Sequence, residues 1–181
     1  LNAPLFIRLG ARLRRPGATE PGSVRRILIS NVVASDVSAE HGIIIAGLAG
    51  HPIADVVLSN VQIHYRGGGT AEQAARDVPE MAQDYPDPDN FGVMPAWGLF
   101  ARHVKNLQLR GVELRVLTPD ARPAVVLDDV VGGRFAEVQL SGNGARSAGA
   151  AHHGRRDAGR RLRAPGADRR AAAGPAGCAG Q

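Results

Sequence analysis

A chain of 181 residues has room for one domain. Its single cysteine, Cys178, excludes an internal disulfide, and no apolar run is long enough for a membrane-spanning helix. The formal charge of +5 is uneven: residues 143–181 carry eight Arg against two Asp, whereas residues 1–142 carry 14 Lys plus Arg against 15 Asp plus Glu, so the pI near 10.5 belongs to the tail.

Residues 1–10, with Pro4-Leu5-Phe6-Ile7-Arg8-Leu9, read as one strand. Residues 11–23, with Arg12, Arg14, Arg15 and two Pro-Gly breaks, read as a polar loop. Val24 to Ala34 then has apolar residues at relative positions 1, 4, 6, 9 and 11 and Ser30-Asn31 at positions 7 and 8. Ile53 to Ile63 repeats the pattern with Ser59-Asn60, and Val104 to Leu114 repeats it with Arg110-Gly111. Val130 to Leu140 is a degraded fourth copy in which Phe135, Val138 and Leu140 keep phase. The copies start 29, 51 and 26 residues apart, so the middle one carries an insertion of about one period.

Positions 4 and 6 alternate with polar residues, which is the period of a half-buried strand. A second apolar run lies between copies: Gly42 to Gly47, Trp97 to Arg102 and Pro123 to Asp128. Each turn therefore consists of short strands and bends, which predicts an all-β chain: a right-handed parallel β-helix whose equivalent residues pile up at the inter-strand spacing of roughly 4.8 Å. Asn31, Asn60 and Gly111 share one corner position, where Asn and Gly tolerate left-handed backbone. A leucine-rich repeat is the alternative; it would need a helical or 3₁₀ return segment in each turn, against which Ile43-Ile44-Ile45 and Val125-Val126-Leu127 argue.

The insertion falls at about residues 67–95. Gly67-Gly68-Gly69 precedes a short helix that Thr70 caps, with Gln73 three residues later. Pro79, Pro86, Pro88 and Pro95, with Tyr85, Phe91 and Trp97 among them, predict an ordered loop against the wall of the helix. In residues 143–181, Ala, Gly, Arg and Pro make up 30 of 39 residues, without apolar period. This segment reads as a low-complexity, disordered tail, as an arm for nucleic acid or another anionic polymer, or, in the reading we favour, as the product of a frameshift. The domain proper is 1–142. Because the chain opens inside a repeat with Leu1-Asn2-Ala3-Pro4, we expect it to be the C-terminal part of a longer protein.

Asn2 to Gly10, Gly47 to Ile53, Tyr65 to Thr70, Tyr85 to Pro88, Phe91-Gly92 and Pro95 to Val104 together resemble bacterial glycoside hydrolase family 28, the polygalacturonase-like and rhamnogalacturonase-like proteins with a pectin-lyase-like β-helix. The resemblance covers roughly residues 1–140. It implies an inverting hydrolysis of uronic-acid-containing plant cell-wall polysaccharide and a secreted or periplasmic location. The family's Asn-Thr-Asp, Gly-Asp-Asp, Gly-His-Gly and Arg-Ile-Lys motifs are absent, so the catalytic residues are unknown and the chain by itself is expected to be an inactive fragment. Asp128-Asp129 reads as a polar turn.

An anionic sugar needs a cation for its carboxylate and a flat face for its ring. Arg8, His51, Tyr85, Trp97, Arg102 and His103 are the substrate-binding candidates. No metal-ligand spacing, phosphate loop or nucleophile motif is present, so no metal or cofactor is expected, nor a nucleic-acid or membrane partner. The competing reading is a non-catalytic β-helix for carbohydrate binding or adhesion.

Overall fold

In the computed structural model, residues 2–142 and the backbone of 151–153 are described. The expectations for the rest of the 143–181 tail, disorder, an anionic-polymer arm or a frameshift, lie outside the described residues. The strands are β1 (Phe6–Arg8), β2 (Arg25–Val37), β3 (Ile43–Ala46), β4 (Ile53–Tyr65), β5 (Leu99–Val116), β6 (Val125–Val131), β7 (Arg134–Gly142) and β8 (Ala151–His153). The only helical elements among the described residues are α1 (Ala71–Ala74) and a 3₁₀ turn (Pro88–Phe91), both within the insertion. Strand therefore fills the return segments, which removes the leucine-rich alternative.

All the pairings between strands are parallel, and they join into one curled sheet. β5 belongs to two ladders. Its first part pairs with β3 and β6, and its second part pairs with β4 and β7. β4 pairs directly with β5, Ile53 on Val104, so the 51-residue gap holds one turn plus an insertion.

Single left-handed residues turn the strands. Asn31, Asn60, Gly111 and Glu137 have φ of 58°, 53°, 57° and 55°, and strand register places them in one file. Arg26, Asp55, Asn106 and Gly132, at 58°, 57°, 57° and 75°, form a second file. His103 and Asp129 are neighbours in a third, at 50° and 53°. Each such residue shifts the in–out alternation by one. That is why inward positions run 4 and 6, then 9 and 11, instead of continuing at 8 and 10. Left-handed non-glycine residues cost roughly 1–2 kcal/mol each, and bonds along the files offset part of this. Asn60 Nδ2 donates to Asn31 Oδ1 at 2.7 Å, the contact expected of turns lying over one another, and Asn106 Nδ2 donates to Asp55 Oδ1 at 2.8 Å.

The inner core consists of like-placed side chains in contact from turn to turn. Ile29, Leu58 and Leu109 share one file, and Val32, Val61, Val112 and Val138 another. A second apolar cluster lies on the outward side of β3, β5 and β6. There Ile44, Ala46, Phe100 and Val126 are covered by Val78, Phe91, Met94 and Ala96 of the insertion. With both faces covered, β3 is apolar without alternation. The capping box at Thr70 forms: Thr70 Oγ1 accepts from Gln73 N, and Gln73 Oε1 accepts from Thr70 N.

Candidate functional site

The chemistry concentrates where the insertion crosses the ladder β1–β3–β5–β6. Strand register puts Arg8, Ala46, Arg102 and Asp128 in one file. The next residue along, His103, is left-handed, so Arg102 and His103 both project toward the insertion instead of alternating.

Arg102 is tightly held. Its Nε donates to Asp128 Oδ2 at 2.6 Å, its Nη1 donates to the Val78 carbonyl at 2.6 Å, and Glu80 lies 3.5 Å away. The guanidinium sits 5.2 Å from the centre of the Phe100 ring. His103 bridges two carboxylates, with Nδ1 2.6 Å from Asp129 and Nε2 3.0 Å from Glu80. Burial alone would lower its pKa, but the two carboxylates reverse this and hold it above the ordinary imidazole value.

Arg8 lies at the other end of the file. Its guanidinium is 4.9 Å from the centre of the Phe91 ring, and both terminal nitrogens are buried without a hydrogen-bond partner among the described residues. Burial lowers its pKa, against the pull of Asp84 and Glu80. Tyr85 stands 65% exposed on the insertion, with the Arg12 guanidinium 5.1 Å from its ring centre. A cavity of about 150 Å³ separates the insertion from the sheet, with Asp77, Val78, Phe100, Arg102 and Asp128 in its wall.

The other two sequence candidates take structural places. Trp97 is buried, edge-on to Tyr65 at 5.8 Å. Its indole is part of the core and offers no face to a sugar ring. His51 closes the tight turn after β3, exchanging backbone hydrogen bonds with Leu48 at 2.9 and 3.1 Å. Its ring makes no hydrogen bond among the described residues.

Sequence reasoning missed Glu80, and it read Asp128-Asp129 as a plain polar turn. Both aspartates are ion-pair partners of the strand beneath. The signal was available: Arg102-His103 and Asp128-Asp129 are 26 residues apart, the same offset as the third and fourth repeat copies.

Two histidines give stability opposite pH slopes. His103 binds its proton more tightly when folded, so its contribution is complete below the unfolded value of about 6.5 and fades as pH rises through the higher folded value. His41 is buried, both ring nitrogens lack a hydrogen-bond partner among the described residues, and Asp89 is 4.0 Å away. Burial lowers its pKa despite the Asp89 and Glu40 charges, so its contribution is lost as pH falls below about 6.5. Between about pH 5 and pH 8 we expect the melting temperature to peak near the middle. His103→Gln should flatten the alkaline limb and His41→Leu the acid limb, as read by thermal melts across that range. Unchanged limbs in both variants would contradict the assignment.

No protein-family model matches the chain, and neither a curated protein nor a solved structure matches it.

Proposed function

We propose that the curled sheet is a run of coils from a right-handed parallel β-helix, and that the chain belongs to a protein resembling glycoside hydrolase family 28. Its ligand is a uronic-acid-containing polysaccharide of the polygalacturonan or rhamnogalacturonan type. Such a polymer implies a secreted or periplasmic protein. Support for the architecture comes from the parallel, in-register pairing of β2, β4 and β5 and from the Asn31–Asn60 contact.

The observation that carries the ligand class is Arg8. A guanidinium with two buried, unbonded nitrogens is costly unless an acceptor completes it. A sugar carboxylate entering between β1 and the insertion supplies a bidentate acceptor, and Tyr85, next to Arg12, is the exposed ring that the insertion offers. Arg102 and His103 then act as positioning residues that hold the insertion through Glu80.

Inverting hydrolysis needs a carboxyl pair roughly 6.5–9.5 Å apart with room for sugar and water between. Glu80, Asp128 and Asp129 do not meet this need, because Arg102 and His103 occupy the space and neutralise them. In the hydrolase reading the acid and base come from other coils of the parent protein. The same saturation of carboxylates favours the second reading, a non-catalytic β-helix that binds carbohydrate.

Calorimetric titration with tri-galacturonate, alongside galactotriose, tests the ligand class. Acidic sugar should bind and neutral sugar should not, and Arg8→Ala should weaken binding about tenfold or more. Equal affinity for both sugars, or indifference to Arg8→Ala, would overturn it. Reducing ends released from polygalacturonate by a longer form of the protein would separate hydrolase from binder.

A further inference from the structure

A different face of the sheet carries a polar groove of about 350 Å³ on the far side of the corners at His103 and Asn106. It is lined by Asp55, Asn106 and Gly132 of one left-handed file and by the outward positions next to that file, Gln108, Arg110 and Arg134. Register sets Leu28, Val57, Gln108 and Arg134 in one row across the strands, and Ser59 beside Arg110 in the next. The first row thus runs from an apolar end, where Leu28 is 68% exposed, to a charged end. Gly132 and Gly133 leave the charged end without side chains on its floor.

The electrostatics of that end are one-sided. Asp55, its acid, already accepts from Asn106. Arg110 donates one N–H to Gln108 at 2.6 Å and keeps the others. Arg134 makes no hydrogen bond or ion pair among the described residues. A guanidinium recognises a carboxylate through paired donors, and the Ser59 and Gln108 side chains suit sugar hydroxyls. Among the described residues no aromatic ring lines the groove, whereas a surface for single-stranded nucleic acid stacks bases on such rings.

We propose that this groove is a second binding surface, for an acidic oligosaccharide lying across the strands, with its carboxylates on Arg110 and Arg134 and its sugar faces on Val57 and Leu28. The choice of a uronate rests on the reading above; the groove itself shares no residue with the site around Arg8. Two separated surfaces for one polymer would let the protein stay on a chain while one of them releases it, through effective concentration.

The test is an amide-resolved NMR titration of the full chain with tri-galacturonate, with galactotriose and sodium acetate as controls. Amides from Gln108 to Arg110 and from Arg134 to Ala136 should shift with tri-galacturonate and with neither control. Arg110→Ala with Arg134→Ala should weaken that response about tenfold or more, with an unchanged melting temperature, while shifts around Arg8 and Glu80 persist. Arg8→Ala should do the reverse. Groove shifts that are absent, that follow acetate equally, or that survive the double substitution would overturn the second surface. Loss of the response at Arg8 alone would instead overturn the first.

Discussion

Replacing Arg122 by alanine should destabilise the fold by about 3–5 kcal/mol, because it leaves a buried carboxylate without its partner. Arg122 and Asp120 are both buried, with side chains wholly removed from solvent. Arg122 Nε and Nη2 donate to the two Asp120 oxygens at 3.0 and 2.7 Å, and the Arg122 backbone N–H adds a third bond at 2.9 Å. Burial pushes the Asp120 pKa up, but these bonds and one from Gly69 N–H bring it below the ordinary value. The pair also grips both ends of the insertion. Asp120 accepts from Gly69 N–H at 2.9 Å, and Arg122 Nη1 donates to the Met94 carbonyl at 3.1 Å. Arg122→Ala should therefore also make residues 70–93 sensitive to trypsin, with cleavage after Arg76. Asp120→Leu combined with Arg122→Met should recover much of the loss, since an apolar pair needs no compensation. An unfolding free energy from urea melts within about 1 kcal/mol of the parent for Arg122→Ala would refute the clasp.

Leu58→Ala is the second large effect, at about 2–5 kcal/mol. Leu58 is fully buried in the file between Ile29 and Leu109. Parallel strands on both sides are held at fixed spacing, so the hole left by three lost carbons cannot close by a strand moving in. Leu28, one strand over and one step along, is 68% exposed. Leu28→Ser should stay within about 0.5 kcal/mol. The contrast tests the in–out assignment on which both ladders rest. Equal losses in urea unfolding would mean that the register is wrong by one residue.

The repeat itself was legible because burial acts on apolar positions. The intervals 4 to 6 and 9 to 11 gave strands, and Asn31, Asn60 and Gly111 marked the corner between them. The corner at position 3 was harder to see. Arg26, Asp55 and Asn106 have no shared chemistry, and only the three-residue step from position 1 to position 4 signals a left-handed residue there. In the candidate site, cations could be picked from the sequence but their state could not. Arg8 and Arg102 occupy equivalent strand positions, yet Arg102 is bound by Val78 and Glu80 of the insertion and by Asp128 of β6, while the terminal nitrogens of Arg8 meet only the Phe91 ring and no hydrogen-bond acceptor among the described residues. Trp97 looked like a sugar platform because it stands among prolines and aromatics; Tyr65, 32 residues earlier, draws it inward. Nothing in Asp120-Ala121-Arg122 distinguishes the clasp from an ordinary solvated turn.

The direct pairing of β4 with β5 has a consequence for how such chains acquire new parts. Lengthening the connection from 29 to 51 residues raises the closure entropy by only about 0.5 kcal/mol. A corner of this architecture is thus a cheap place to graft a foreign segment. The added stretch then contributes its own apolar contacts, here with Ile44, Phe100 and Val126, and a plain wall becomes a walled recess. Novelty in this lineage of folds can therefore arrive by splicing at a bend while the strand registers on either side stay where they were.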